Sequence, residues 1–367
     1  MTGEVLSRRA LNRATLERQL LLRRTRMPAL DAVRHLVGMQ AQVPLNPYHG
    51  LWSRLEGFQP AELAQLLLDR KVVRIVVMRG TIHLVTAEDC LVLRPLAQPV
   101  LDKELARHPE YGPALRGVDL GPALDFARTL LGEKPRTGAE LRAAFAERFP
   151  DVDPAALAYA CRNHLAFIQV PPRGVWGRSG PVRSTTAEAW LGRSVQANPS
   201  IDDVVLRYLN AFGPASVADA ATWSRLTALR EVFERVRPQL RTSHDERGRE
   251  LFDLPDAPRP DPDIPVPPRF LPEYDNVLLS HDDRSRLVSP EHARLLFARP
   301  GPVHGTVLCD GFVGGTWAVD GATLTVRHVP LGPGATEELE AEGLRLLRFL
   351  VPDADPASYE VRLAPDE

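Results

Sequence analysis

The chain has 367 residues, 44% hydrophobic and 25% charged, with a net charge of −2; this is the balance of a soluble globular protein of about two to four compact units. No apolar run approaches the roughly 18 residues of a membrane span, and the start, MTGEVLSRRALNR, has no signal-peptide core, so a cytoplasmic protein is expected. Cys90, Cys161 and Cys309 lie far apart without CxxC spacing, which argues against a zinc site and a disulfide framework.

In chain order, SRRALNRATLERQLLLRR is an amphipathic helix. Residues 1 to 30 carry seven arginines (Arg8, Arg9, Arg13, Arg18, Arg23, Arg24 and Arg26) against Glu4 and Glu17. That asymmetry permits a local anion-binding face on a weakly acidic protein. PALDAVRHLVGMQ is a second helix with Pro28 in its first turn. It runs into GMQAQVPLNPYHG, where Pro44 disfavours the α conformation before it. The chain is therefore expected to turn extended near Val43, so that Gln40 and Gln42, two apart, point the same way.

PYHGLWSRL and PAELAQLLLDR are further helices, and KVVRIVVMRGTIHLVT is two β-rich runs punctuated by Arg79-Gly80. Helices followed by a hairpin make a winged-helix pattern. It returns in GPALDFARTLL, TGAELRAAFAERF and DPAALAYACRNHL, closed by two short strands in AFIQVPPRGVWGR. It returns again in IDDVVLRYLNAF, SVADAATWS and LTALREVFERV, closed by the hairpin QLRTSHDERGRELFDL. Thr137 and Ser216 stand where N-caps belong. The echoes are structural repeats without a strict sequence period. PDAPRPDPDIPVPPRFLP, residues 255 to 272, is a proline-rich extended strap. Beyond it, Asp310-Gly311 and Asp320-Gly321 separate three strand-like runs, a meander, and a helix and a last strand follow.

Catalytic templates mostly fail: there is no P-loop, no HExxH and no GxSxG. GFVGGT leads into strand residues, not into a helix N-terminus, and fails as a phosphate cradle. Cys161 and His164 share a helical face, but one Cys and one His are core or surface residues more often than ligands. In LPEYDNVLLSHDDRSRL, residues Asp275, Asn276, His281, Asp282, Asp283 and Arg284 form either an internal Asp–Arg brace or a catalytic carboxylate site. Arg79, Thr81 and His83 belong either to a plain hairpin turn with an exposed Arg or to a wing whose side chains reach phosphates. Gln40 and Gln42 either satisfy orphan carbonyls at a helix end or serve chemistry. An amide is no strong general base, but it accepts from a water and donates to a substrate oxygen. That suffices only when the leaving group is already good.

GMQAQVP, LWSRL, MRGTIHLVTAED, LPEYDNVLLSHDDR and GFVGGTWAV together resemble the winged-helix DNA glycosylases that unhook interstrand crosslinks, in particular the AlkZ-like, azinomycin-resistance branch. The most specific element is Gln-aliphatic-Gln, matched by Gln40, Ala41 and Gln42. The resemblance implies an α+β, predominantly helical fold, with three tandem winged-helix units around a concave DNA channel and a β-rich C-terminal region. The units fall at 1–99, 100–195 and 196–254, with the strap at 255–272 and the β-rich region at 273–367.

It also implies a monofunctional hydrolase acting, without cofactor or metal, on the N-glycosidic bond of N7-alkylated guanine. Unhooking of azinomycin-type crosslinks for self-resistance is included. The expected partner is double-stranded DNA, and the enzyme is expected to be a monomer in the cytoplasm at the nucleoid. The resemblance implies that Gln40 and Gln42 are the catalytic residues. Arg79, Thr81 and His83 are expected to contact DNA, as are Trp317, Val319, Asp320 and Gly321 of the second hairpin. A crosslinked base cannot be flipped out fully, and a thin hairpin can enter a groove to reach it; the bland reading is a core meander with a solvated tip. Three scattered lysines speak against a Schiff-base lyase. A non-catalytic winged-helix transcription regulator is the alternative, and a protein-interaction scaffold is a third class.

Overall fold

The computed structural model describes residues 4–297, 304–332 and 334–365. The first helix, Arg8–Arg18, starts where the Ser7 hydroxyl accepts from the Ala10 N–H at 3.1 Å, an N-cap that satisfies an orphan donor. It ends sooner than its apolar period suggests, because Leu20 takes φ 58°. The next helix, Ala29–His35, is stopped by two successive left-handed residues, Val37 at φ 54° and Gly38 at φ 91°. A Cβ on Gly38 would lie 2.7 Å from the Val85 side chain, so the close approach requires glycine. The extended segment therefore comes before the place Pro44 indicated. Met39–Gln40 is a short strand pairing Met39 with Leu84 and Gln40 with His83, and the chain already bends at Gln42 and Val43.

Met39–Gln40 is the edge of a six-stranded sheet whose order continues through Ile82–Thr86, Val72–Val76, Phe167–Gln169, Arg183–Thr186 and Arg136–Thr137. Arg74 pairs with Gln169 and Ile75 with Ile168, so the first two hairpins join edge to edge. In the second, the return strand is Arg183–Thr186 and not the expected VWGR stretch. Pro171 and Pro172 have no N–H for a ladder, and Trp176 instead packs its ring 5.1 Å from Tyr48 and 5.3 Å from Phe349. The third hairpin, Arg241–Asp245 with Glu250–Asp253, carries Val5–Leu6 as a parallel edge strand.

The helices before these hairpins lie where period and caps placed them, with capping boxes at Thr137/Glu140 and Ser216/Asp219. Two further helices, Ala87–Leu96 and Gln98–Arg107, are masked in the sequence by their prolines. Pro95 and Pro99 look like breakers there, yet Pro99 sits in a first turn, where proline is tolerated, and the Leu91 carbonyl that Pro95 cannot serve accepts instead from the Gln196 N–H at 2.9 Å.

The strap is irregular until Arg269–Leu271, which becomes an edge strand of a five-stranded sheet with Gly305–Cys309, Phe312–Asp320, Thr323–His328 and Glu360–Pro365. The meander is present, and helix Ala335–Leu350 carries the chain over to the last strand, which runs parallel to Thr323–His328. Asp310-Gly311 forms a loop with both φ positive, 45° and 79°, the primed type that matches strand twist. The second turn lies one residue later than its Asp-Gly pair suggests: Asp320 pairs with Thr323, leaving Gly321 and Ala322 as the loop. No helix among the described residues is long and apolar enough to cross a membrane.

Candidate active site

Ala41 fixes the orientation of its two neighbours. Its methyl is fully buried in the core with Val33, Tyr48 and Leu51. Its N–H donates to the Ile82 carbonyl at 2.8 Å, and its carbonyl accepts from Arg74 Nη2 at 2.8 Å. With Ala41 pointing inward, alternation sends Gln40 and Gln42 the other way; Gln40 is half-buried and Gln42 exposed. Neither amide caps the helix before it. Gln40 Oε1 accepts from Arg79 Nη2 at 3.2 Å, and Gln42 Oε1 accepts from the Ile82 N–H at 3.4 Å.

Arg79 is not the exposed turn residue the sequence suggested. It is 9% exposed and holds φ 58°, a left-handed conformation that costs a non-glycine residue on the order of 1–3 kcal/mol and persists only where the surroundings enforce it. That backbone folds the side chain inward. Nη1 donates to the Trp223 carbonyl at 3.0 Å, while Nη2 lies 3.2 Å from each of Gln40 Oε1, His83 Nε2 and Asn276 Oδ1. Guanidinium only donates, so His83 Nε2 must accept, and the ring is neutral with its proton on Nδ1, directed to the Thr81 carbonyl at 3.0 Å. Burial, aided by the Arg79 charge, pushes His83 down to about 3. Burial and then Arg225 and Arg284 push Arg79 down to about 10. His83 is therefore a buried support for Arg79, not a side chain that reaches phosphate. Thr81 is half-buried with its hydroxyl on the Met78 carbonyl.

Asn276 completes the arrangement, donating from Nδ2 to the Gly38 carbonyl at 3.0 Å and so tying the segment after the strap to the glutamine strand. Its neighbour Asp275 is indeed a brace, but with Arg54, both carboxylate oxygens accepting at 2.8 Å in a buried pair. Asp283 holds Arg247 and Arg249, and His281 is buried against the Phe212 carbonyl. Cys161 is buried with its thiol towards the Ala123 carbonyl, and His164 lies 3.8 Å from Asp102; the two do not form a joint site.

The cations around the glutamines share a property. Arg74 is 1% exposed in the middle of Val72–Val76; its Nε and Nη1 have no partner among the described residues, and Arg173, of like charge, lies near enough to lower its pKa further after burial, to about 10. Arg225 and Arg284 are exposed beside Arg79 and, among the described residues, pair with no carboxylate. The sequence signal for this was an arginine interrupting the apolar run VVRIVV. The basic first helix is different. Arg9 and Arg13 are held by Asp310 at 2.8 and 2.6 Å, Arg18 by Asp253 at 2.6 Å, Arg24 by Glu342, Arg23 by Glu17 and Arg26 by Glu56. The expected anion-binding face there is occupied by carboxylates, most of them from remote parts of the chain.

A cavity of about 630 Å³ runs from the segment just after the glutamines, Val43 to Asn46, to Trp317, Ala318 and Val319 on strand Phe312–Asp320. Trp317 is mostly a core residue, 8% exposed, its Nε1–H donating to the Leu271 carbonyl at 2.8 Å and its ring T-shaped on Phe270. Val319 is half-buried, Asp320 is exposed, and Gly321 faces open space.

Known proteins share this architecture. A family model described as DNA glycosylase AlkZ-like matches residues 33–349. The chain is 25% identical over 357 residues to a Streptomyces sahachiroi protein named interstrand DNA cross-link repair glycosylase, covering 86% of this chain and 88% of that one. In fold, it is similar to the solved structure of Streptomyces sahachiroi DNA glycosylase AlkZ at a TM-score of 0.80 and 20% identity, covering 98% of this chain and 100% of that one.

Proposed function

Since the chain belongs to the AlkZ-like DNA glycosylase family, we propose that it hydrolyses the N-glycosidic bond of N7-alkylated guanine in double-stranded DNA. We extend the proposal to the unhooking of azinomycin-type interstrand crosslinks. The carrying observation is the pair of neutral carboxamides at and just beyond the edge strand Met39–Gln40, with Arg79 and a backbone N–H as their hydrogen-bond partners and no carboxylate on either amide among the described residues.

Such a site cannot protonate a leaving group or strongly deprotonate a water. N7-alkylated guanine needs neither. The alkylated base is cationic, and when the C1′–N9 bond breaks its electron pair passes to N9 and the base leaves neutral. The water oxygen bonds to C1′ and its surplus proton goes to solvent. What remains for the protein is to hold a water and place fixed dipoles, which stabilise developing charge without reorganisation.

The proposal takes the three groups of helices ending in hairpins, 1–99, 100–195 and 196–254, as winged-helix units of a monomer around a DNA channel, followed by the strap at 255–272 and the β-rich region at 273–367. Arg225, Arg284 and Arg173 serve as phosphate contacts. The end of strand Phe312–Asp320 at Ala318 and Val319, with Asp320 and the Gly321–Ala322 loop as its tip, enters a groove beside the target. The shared cavity wall with Val43–Asn46 supports that placement. The exposed acids Asp320 and Glu360 at the tip oppose close phosphate contact, so the tip meets base edges.

The test is release of free N7-methylguanine from a defined duplex. Gln40→Ala and Gln42→Ala should each lose on the order of a hundredfold in single-turnover rate, as removal of one fixed transition-state donor does elsewhere, with DNA affinity retained. Wild-type rates in both variants would remove the site. Shortening residues 318–323 to a minimal Gly turn should impair crosslink unhooking more than methylguanine release; equal losses in a folded variant rule out the hairpin role.

A further inference from the structure

Resting on that reading, we infer that the two glutamines work with opposite polarity. Gln40, turned by Arg79, presents its Nε2–H2 as a donor to the departing guanine, and Gln42 presents Oε1 as an acceptor for the attacking water. Arg79 is a positioning residue that acts through Gln40.

Amide orientation is decided by partner chemistry. Arg79 has donors only, so the atom of Gln40 that meets Nη2 at 3.2 Å must be its oxygen. Arg79 is itself immobilised by the Trp223 carbonyl, Asn276 Oδ1 and neutral His83. The Gln40 carbonyl is thus held by a charge-assisted bond from a buried cation, and the side of the amide left for substrate is Nε2, which bonds nothing among the described residues. A guanidinium on the carbonyl also polarises the amide and strengthens its N–H donors.

Gln42 is differently placed. It is exposed, and among the described residues its Oε1 meets only the Ile82 N–H, at 3.4 Å, beyond the usual N–H···O range. That leaves a lone pair free to accept from a water.

Electrostatics assigns the same sides. Positive charge develops on the sugar as the bond breaks, and a buried guanidinium directed there would oppose it. The electron pair moves to the base, so a cation behind an N–H donor helps only on that side. The amide that Arg79 backs belongs to the leaving group, and the one it does not back belongs to the water.

Conservative exchanges test this without emptying the site. Single-turnover release of N7-methylguanine is measured at saturating duplex for Gln40→Glu and Gln42→Glu, with DNA affinity and melting temperature read separately. Gln40→Glu keeps an oxygen for Arg79 but has no N–H2, and should lose on the order of a hundredfold, as much as Gln40→Ala. Gln42→Glu keeps its acceptor and should retain at least about tenfold more of the rate than Gln42→Ala does. Arg79→Met should lower the rate with affinity unchanged, and Arg79→Lys, which retains a donor for Gln40, should restore part of it. An active Gln40→Glu, or a Gln42→Glu as impaired as Gln42→Ala, overturns the assignment. Failure of the glycosylase reading looks different: the wild type releases no base, or both alanine variants keep full activity.

Discussion

The first helix and the glutamine strand are both rich in arginine, and they use it in opposite ways. In the first helix and just beyond it, six of the seven guanidinium groups end on carboxylates, several brought from far away, while Arg8 lies over the Phe312 ring; Arg18 meets Asp253, 235 residues on, at full burial. Around Met39–Gln40, Arg74 and Arg79 are buried on neutral acceptors, with Arg173, Arg225 and Arg284 adding like charge beside them. Counting basic residues in the sequence does not tell the two regions apart. What marks an anion-binding face is a group of cations denied their carboxylates, because the repulsion they store is relieved only when a polyanion arrives.

The largest effect that would sharpen this contrast is on stability. Asp253 accepts from both Arg18 and Arg259 and is itself fully buried. Asp253→Ala strands the Arg18 charge, and breaking a buried pair in this way costs about 3–5 kcal/mol. Urea unfolding should show that loss, while excision per folded molecule stays at the wild-type level. A mild change in stability would mean that these pairs are not the staples described.

The next effect is on binding. The double variant Arg225→Ser, Arg284→Ser should leave the melting temperature unchanged or slightly raised, since it relieves repulsion on Arg79. It should reduce the slope of log affinity against log salt by about 2, roughly one for each phosphate that the variant no longer neutralises. Neutralising Arg9 on the first helix and Arg23 just beyond it should leave that slope unaltered. The opposite pattern would return DNA to the first helix and break the comparison.

Much of the scaffold was legible because it is encoded locally. Apolar period and capping boxes at Thr137 and Ser216 placed helices, and Asp310-Gly311 placed a turn. The glutamine pair was legible as two like side chains flanking an inward alanine, although Val37 and Gly38, not Pro44, set the strand's start. The direction of Arg79 was not legible. An arginine in a hairpin turn reads as exposed, and the partners that turn it inward, Trp223 and Asn276, lie 144 and 197 residues away. The edge-to-edge union of two hairpins through Arg74 and Gln169 is equally non-local. Local pattern determines elements; tertiary partners determine which charges remain available.

The smallest effect concerns acid. His83 is fully buried, neutral and pushed down to about 3 in the native protein, whereas an unfolded imidazole titrates near 6.5. Between those values the unfolded chain binds a proton that the folded chain refuses, so stability rises with pH across the window. The contribution is complete above about 6.5 and is lost progressively as pH falls towards 3; for this one imidazole the loss between pH 7 and 5 is about 2 kcal/mol. Melting temperature should therefore decline from pH 7 to 5. Excision in the folded enzyme should stay flat from about pH 6 to 9, because within that range neither His83 nor Arg79, held near 10, changes charge. His83→Gln is the discriminating variant, since its Oε1 can replace Nε2 as the acceptor for Arg79 but takes up no proton. It should remove only the His83 share of the acid decline in melting temperature, because burial also pushes His281 down to about 3 and His49 to about 4, and it should preserve excision at neutral pH. An unchanged acid decline would place the buried neutral group elsewhere. Lost activity with Arg79 still satisfied would mean that His83 does more than support the guanidinium behind Gln40.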